Sequence, residues 1–232
     1  MEFRDLKKQY QVLREEMDRA VLDTMASGAY IMGPQVKELE RQLAEYVGVK
    51  HCLTCANGTD ALTLALKAWG IGPGDAVFVP DFTFFSSAEV VPLEGATPIF
   101  VDVCEETFNI DAADLERAVK EVLSEGRLRP RVVVAVDLFG LPADYQAVRA
   151  VADRYGLLVL EDGAQGFGAP TMANGLARSA ISPRRRSSRP SRWVATETAV
   201  PYSRTTTNGR RSSLRTGYTG KERSSTTTSV SA

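Results

Sequence analysis

The chain has 232 residues, of which 44% are hydrophobic, and a formal net charge of −1. This length suits one large or two small domains, and no apolar run approaches the length of a membrane-spanning helix, so we expect no membrane association. The near-neutral charge hides two unlike parts. From position 171 onward there are 11 Arg and 1 Lys against 2 Glu and no Asp, a balance of +10, so the first 170 residues carry 16 basic and 27 acidic groups, a balance of −11.

The first 170 residues alternate between helical and strand patterns. Apolar residues at helical spacing predict helices over 5–27 and after Gly33-Pro34. Short apolar runs then alternate with amphipathic stretches, which predicts an α/β fold with a mostly parallel sheet flanked by helices. The predicted strands are 51–56, 76–80, 97–103, 131–138 and 157–162, and the predicted helices between them are 58–70, 86–95 with an interruption near Pro92, 111–126 and 143–156.

The cysteines and the N-terminal sequence indicate a cytoplasmic, reduced protein. Three cysteines are too few for a disulfide framework, and the charged start "MEFRDLKKQY" is unlike a secretory signal. Cys52 and Cys55 form a C-x-x-C pair, but no second pair follows and His51 is the only histidine. We therefore interpret the pair as small residues of a buried strand and expect no metal site.

Polar clusters follow three of the predicted strands, where parallel sheets bind their ligands. The first is "NGTD" at 57–60, where Gly58 and Thr59 could bind a phosphate at a helix N-terminus, although Asn57 and Thr59 could equally be helix caps. The second is "DFTF" at 81–84, where one aromatic ring could stack on a flat cofactor.

Two further expectations concern these strand ends. We expect at least two of Phe82, Phe84 and Phe85 to lie in the core. The third cluster, "EDGAQ" at 161–165, ends its strand with two adjacent carboxylates whose side chains should point to opposite faces of the sheet, one toward a ligand and one toward a structural partner.

Four segments together resemble one family. "SGAYIMGPQVKELE", "CANGTDAL", "PDFTFFSSAE" and "EDGAQGFGA" are similar, in this order, to the pyridoxal-phosphate-dependent sugar aminotransferases of the DegT/DnrJ/EryC1/StrS group. The resemblance covers about residues 2–169 and is strongest to members that aminate a 3-keto UDP-N-acetyl-sugar acid for surface polysaccharide. It implies part of the large domain of a fold-type I transferase over 1–169, pyridoxal 5'-phosphate as cofactor, a nucleotide-sugar substrate, glutamate as amino donor, and a homodimer.

The resemblance also implies residue roles. Asp162 would pair with the pyridine nitrogen and keep it protonated, so that the ring acts as an electron sink. Gln165 would hydrogen-bond the 3-hydroxyl of the ring, and Phe84 would lie over its face. Gly58 and Thr59 would hold the phosphate.

The resemblance also implies a position for Tyr30. This residue, in the segment between the first two predicted helices, would lie near the nucleotide-sugar. Gly163 and Gly166 stand where the family usually has Ala and Ser, which leaves the other assignments unchanged.

The lysine that such an enzyme needs for its Schiff base is missing from this reading frame, so no catalytic residue is assigned. The family places it after the Asp162–Gln165 segment in a pattern like Ser-Phe-Phe-Pro-x-Lys-x-Leu-Gly, whereas the only lysine of 170–232 is Lys221 in "TGKERSS". Codons built from the third base of each residue and the first two of the next re-read 171 to about 194 as YGKRACSFGDISTTSFFPAKPLG, with the lysine codon straddling Pro190 and Ser191. This predicts a frameshift near residues 169–171.

The tail at 170–232 is therefore interpreted as an out-of-frame segment. It holds 12 Ser and 11 Thr, and we expect it to be disordered, to leave the strand at 51–54 without its neighbour, and to leave the chain inactive with weak or no cofactor binding. Three alternatives stay open. They are a dehydratase of the same family with histidine for lysine, a regulatory remnant with a dead cofactor site, and a protein that binds nucleic acid non-specifically through its Arg/Ser tail.

Overall fold

The computed structural model describes residues 5–47, 49–167, 191–195 and 199–204. In these ranges the chain forms an α/β structure, as the sequence predicts. The helices are α1 Leu6–Ser27, α2 Pro34–Val47, α3 Gly58–Ala68, α4 Ser86–Leu93, α5 Ala112–Glu125 and α6 Tyr145–Tyr155, with a 3-10 turn at Leu138–Gly140. The strands are β1 His51–Thr54, β2 Asp75–Pro80, β3 Thr97–Val101, β4 Arg129–Val136, β5 Leu158–Asp162, β6 Ser191–Ala195 and β7 Ala199–Arg204.

The helices begin and end at residues that satisfy their free backbone groups. Asp111 accepts a hydrogen bond from the backbone N–H of Ala113 at the start of α5, and Asp144 does the same for the first turn of α6. Gly126 and Gly156 end these two helices in the left-handed conformation that glycine adopts without strain. The chain can therefore turn back sharply toward the sheet after each helix.

The seven strands form one sheet in the order β1-β7-β6-β5-β4-β2-β3. β3, β2, β4, β5 and β6 are parallel, whereas β7 is antiparallel to both β6 and β1. Val136, the last residue of β4, pairs with Asp162, the last residue of β5. Side chains that follow these strands therefore meet at one edge of the sheet, which we call the carboxyl edge.

Helices cover both faces of the sheet, and the strand residues alternate between them. On one face α3 and α4 pack on Val77, Val134 and Leu160; on the other, α5 and α6 pack on Phe78, Val133 and Val159. Asp162 has the parity of Leu160, and Glu161 has the parity of Val159. The prediction that these two carboxylates face opposite sides is thereby confirmed.

Several boundaries differ from the prediction. β1 ends at Thr54, two residues before the predicted end at 56. α4 runs through Pro92 without a break, because this proline lies in the last turn, where its missing N–H costs at most one hydrogen bond.

The C-terminal part of the chain departs most from expectation. Two stretches of the tail, β6 and β7, enter the sheet between β5 and β1, and β1 pairs with β7 along its whole length. The prediction that the strand at 51–54 lacks a neighbour is therefore wrong, and the disorder expected of the tail does not extend to β6 and β7. The unpaired edges of β5 and β1 accept extended backbone, and Trp193, Val194, Val200 and Tyr202 are residues that favour strands. Positions 168–190, 196–198 and 205–232 lie outside the described residues.

None of the helices within the described ranges has the length and hydropathy that crossing a membrane requires.

Candidate active site

The carboxylate of Asp162 is the centre of the candidate site. It ends β5 at the carboxyl edge and is only 7% exposed. Its Oδ2 accepts a hydrogen bond from the hydroxyl of Ser87 at 2.8 Å, and its Oδ1 accepts one from the backbone N–H of Ala164 at 3.3 Å. Burial raises the pKa of Asp162, and these two hydrogen bonds partly oppose the rise.

Two consecutive serines at the start of α4 connect Asp162 to the first turn of α3. The Ser87 hydroxyl bonds Asp162, while the Ser86 hydroxyl lies 2.9 Å from the Thr59 hydroxyl. Thr59 and Asp162, which the resemblance places at opposite ends of one cofactor, are therefore tied to the same helix turn. The structure thus brings together two of the predicted site residues that are far apart in the sequence.

The N-terminus of α3 has the geometry of an anion site. Asn57 caps the helix by accepting from the backbone N–H of Asp60 at 2.9 Å, so its predicted capping role is confirmed. Gly58 and Thr59 occupy the first turn, where backbone N–H groups have no earlier carbonyl of the helix to bond. Those N–H groups, the Thr59 hydroxyl and the positive end of the helix dipole suit a phosphate.

Gln165 is held by the turn that follows β4. Its Oε1 accepts a hydrogen bond from the backbone N–H of Phe139 at 2.6 Å. Phe139 has a φ of 55°, a left-handed conformation that is costly for a bulky residue. With Oε1 occupied, the Nε2 amino group of the exposed Gln165 side chain is the part that can donate to a ligand.

The phenylalanines after β2 lie on the surface instead of in the core. Phe82, Phe84 and Phe85 are 48%, 67% and 71% exposed, so the prediction that at least two of them are buried is wrong. All three lie in the loop between the end of β2 and the start of α4. Phe82 instead contacts the rings of Phe108 and Phe139, with centroids 5.4 and 6.5 Å away. Phe84 stays open for contact with a flat ligand.

A second group of buried ionisable residues lies behind the site. Asp137, directly after β4, accepts at Oδ1 from the Tyr145 hydroxyl at 2.7 Å and from the backbone N–H of Ala143 at 3.1 Å. Burial raises the pKa of Asp137. Burial, and then the charge of Asp137, raise the pKa of Glu161 to about 8, which Arg149 opposes. Glu161 thus faces α6, where the charge of Arg149 favours its ionised form.

Gly166 packs directly against this buried group. A Cβ atom at position 166 would lie 2.4 Å from the Cβ of Asp137, a separation that real Cβ atoms do not show. A serine, the usual family residue, would not fit here unless Asp137 moved. Gly166 is therefore matched to Asp137 in this chain, which the sequence comparison alone did not indicate.

Other predicted residues do not join the cluster. Tyr30 is 65% exposed, and its hydroxyl donates to the backbone carbonyl of Met25 in α1. The described lysines that form ion pairs, Lys67 and Lys120, bond Glu94 and Glu116 away from the carboxyl edge. Among the described residues no group of His, Cys, Asp and Glu side chains could hold a metal ion.

Known proteins are similar to this chain in sequence and in fold. The model of the DegT/DnrJ/EryC1/StrS aminotransferase family matches residues 11–178. The chain belongs to this family.

One curated relative is UDP-2-acetamido-2-deoxy-3-oxo-D-glucuronate aminotransferase of Pseudomonas aeruginosa. It is 44% identical over 169 residues, which are 73% of this chain and 45% of the relative. The chain therefore spans about half the length of the relatives it matches.

Solved structures share the fold. A family aminotransferase from Brucella abortus superposes with a TM-score of 0.76 at 38% identity, covering 88% of this chain and 55% of that one. The PLP form of Spr1654 from Streptococcus pneumoniae superposes with a TM-score of 0.66 at 26% identity, covering 80% of this chain and 50% of that one. Structural neighbours in this family are thus pyridoxal-phosphate-dependent aminotransferases.

The described residues of this family member suit pyridoxal phosphate in their chemistry. Asp162 is a buried carboxylate with a hydroxyl donor, Gln165 offers an amide N–H, and Phe84 offers an exposed ring. The first turn of α3 suits the phosphate. Among the hydrogen bonds and ion pairs of the described part, none joins a lysine side chain to Asp162, Gln165 or the first turn of α3.

The serines were missed at the sequence level. Ser86 and Ser87 stand in the quoted "PDFTFFSSAE", but no role was assigned to them. Two hydroxyl residues that begin a mainly apolar helix on a sheet were the available signal, because buried hydroxyls need partners.

Proposed function

We propose that this chain is the large-domain part of a pyridoxal-phosphate-dependent aminotransferase that acts on a nucleotide-linked keto sugar. The observation that carries the proposal is the link from Thr59 through Ser86 and Ser87 to Asp162, which joins the phosphate position to the ring-nitrogen position. Family membership supports the reaction class.

Each candidate residue has a distinct task in this proposal. Bound pyridoxal phosphate supplies an electron sink for moving a proton and an amino group. Asp162 would accept from the protonated ring nitrogen, and Gln165 would donate through Nε2 to the 3-oxygen of the ring. Gly58 and Thr59 bind the phosphate through the first turn of α3. Phe84, whose side chain is exposed, would lie over one face of the ring.

We propose a 3-keto UDP-N-acetyl-sugar acid as the substrate, glutamate as the amino donor, and a homodimer as the working assembly. Similarity to the Pseudomonas aeruginosa relative, whose name states a 3-oxo UDP-sugar acid, supports the sugar. Tyr30, exposed between α1 and α2, is proposed to contact the nucleotide-sugar.

We further propose that the 232-residue chain does not itself catalyse the transfer and binds the cofactor weakly. A lysine must shuttle the proton in this chemistry. In the shifted frame its codon straddles Pro190 and Ser191, so the frame change near residues 169–171 removes it. The change in composition at residue 171 supports this interpretation.

The first experiment is to sequence the source DNA across codons 165–195 and to express both reading frames. We expect amino transfer from glutamate to the UDP-linked 3-keto sugar acid with the restored frame and none with the 232-residue chain. As a matched control, lysine to arginine at the restored site should abolish transfer. Transfer by the 232-residue chain, or none by the restored protein, would contradict the proposal.

Two other outcomes would favour the alternatives. Tight, stoichiometric cofactor binding by a stable dimer without transfer would favour a non-catalytic regulatory protein. Sequence-selective binding of RNA with little salt dependence would favour an evolved role for the Arg/Ser tail, since phosphate contacts alone depend steeply on salt.

A further inference from the structure

Three groups form a directed chain of hydrogen bonds that ends at Asp162. Ser87 is fully buried, and its Oγ lies 2.8 Å from Oδ2 of Asp162 and 3.2 Å from Oγ1 of Thr83. A hydroxyl has one proton to donate, and the Ser87 proton goes to the carboxylate. Thr83 must therefore donate to Ser87, so that both hydroxyl dipoles point toward Asp162.

The groups around Asp162 make these hydrogen bonds important for its charge. Charged and ionisable groups on the elements around Asp162 include Asp60 and Lys67 on α3, Glu89 on α4, Asp137 after β4, Tyr145 and Arg149 on α6, and Glu161 on β5. Arg149 acts on Glu161, and no basic side chain forms an ion pair with Asp162 in the described part of the chain. Hydrogen bonds to a buried carboxylate favour its ionised form. Its described donors are Ser87 and the Ala164 N–H.

The first turn of α4 also makes hydrogen bonds to Phe84 and Thr59. The backbone N–H of Ser87 donates to the carbonyl of Phe84 at 3.1 Å, which fixes the position of that residue in the turn. Ser86, one residue earlier than Ser87, has its hydroxyl on Thr59 and none on Asp162. Ser86 and Ser87 are therefore alike in chemistry and place in the helix but differ in partner, which makes them a matched pair for experiment.

We propose that Ser87, supported by Thr83, is a positioning residue that keeps Asp162 ionised and oriented toward the ring nitrogen of the cofactor. The inference rests on the proposed function, since a protonated pyridine nitrogen requires an ionised partner. Oδ2 is fixed by Ser87, and Oδ1, with one long bond from Ala164, retains acceptor capacity for the ring N–H.

The test is a carbon-13 NMR titration of aspartate carboxyl groups in the full 232-residue chain, with Asp162→Asn used to assign the signal. Ser87→Ala should raise the titration midpoint of Asp162 by about one pH unit, because a hydrogen bond to a charged group is lost. Thr83→Val should raise it by less. Ser86→Ala should leave it unchanged.

The outcomes separate a positioning role from a packing role and from the proposed function. If Ser87→Ala leaves the midpoint unchanged, or Ser86→Ala moves it equally, the positioning role is overturned. If Ser87→Ala does not fold, Thr83→Val decides, since it keeps Ser87 in place: a raised midpoint supports the proposal and an unchanged one overturns it. The titration needs no cofactor, so a restored-frame protein without transferase activity would contradict the proposed function independently.

Discussion

The backbone N–H of Phe139 donates to Oε1 of Gln165 across 2.6 Å, although the two residues lie on separate strand-end loops. The backbone N–H of Asp137 likewise donates to the carbonyl of Asp162 at 3.0 Å. The turn after β4 therefore holds the segment after β5 at both Asp162 and Gln165. The turn that makes this contact keeps Phe139 in a left-handed backbone conformation, which is strained for a bulky residue.

Gly166→Ala should destabilise the fold at this point. The added methyl would lie 2.4 Å from the Cβ of Asp137, in a buried region that cannot absorb it without backbone movement. We expect a loss of about 1–3 kcal/mol in the free energy of urea unfolding. Gly72→Ala is the matched control, since its Cβ would meet the Glu94 carbonyl oxygen at an ordinary 3.6 Å. Equal stability of the two variants would show that the Asp137 contact is not restrictive.

Much of this arrangement could be predicted because parallel strands place their carboxyl ends together. Alternating patterns were sufficient for the α/β fold, and the clusters at Thr59 and Asp162 then had to lie near one edge. The link through Ser86 and Ser87 could not be predicted, because partner choice depends on how α4 packs on the sheet. The burial of at least two of Phe82, Phe84 and Phe85 was predicted wrongly, since hydrophobicity alone does not tell a core residue from one in a loop beyond the end of a strand.

The two strands of the tail, β6 and β7, were the other departure from prediction. Its Arg, Ser and Thr content predicts disorder when the tail is considered alone. β6 and β7 pair with β5 and β1, whose backbone groups would otherwise lack a partner on that side, and their Trp, Val and Tyr residues favour strands. Amino-acid composition alone contains no information about neighbouring strands that can pair with the tail.

The stability of the protein should fall as the pH rises from about 4.5 to 8. The pKa of Glu161 is raised from its ordinary value of 4.5 to about 8, so in this range the folded state binds a proton that the unfolded state has released. The slope contributed by this one group is at most about 1.4 kcal/mol per pH unit. Asp137 and Asp162, whose pKa values burial also raises, add to the fall at the lower end.

Glu161→Gln tests this assignment. The amide cannot ionise, so the urea midpoint measured from pH 5 to 8 should decline less in the variant than in the wild type, and the variant should be the more stable protein at pH 8. Glu15→Gln, at an exposed position on α1, serves as the control and should follow the wild-type curve. Parallel curves for wild type and Glu161→Gln would contradict the prediction.

Glu40→Ala should loosen β1 from α2. Oε1 of Glu40 accepts from both the backbone N–H and the hydroxyl of Thr54, at 2.9 and 3.0 Å. Truncation leaves a partly buried N–H without its partner, at a cost of about 1–3 kcal/mol. Amide hydrogen exchange at Thr54 should accelerate, while Glu40→Gln, which keeps Oε1, should have a smaller effect. Glu45→Ala on the same helix removes only an exposed ion pair with Arg41 and should leave the Thr54 amide protected.

Asn109→Ala should weaken the turn that holds Gln165. The buried side chain of Asn109 accepts from the Leu138 N–H at 3.2 Å and donates through Nδ2 to the Leu141 carbonyl at 2.9 Å. Removing both bonds leaves a buried amide unpaired, which costs about 1–3 kcal/mol in unfolding free energy. Because Leu138 precedes the residue that bonds Gln165, exchange of the Phe139 amide should also quicken. An unchanged Phe139 amide in the alanine variant would mean that the turn holds its shape without Asn109.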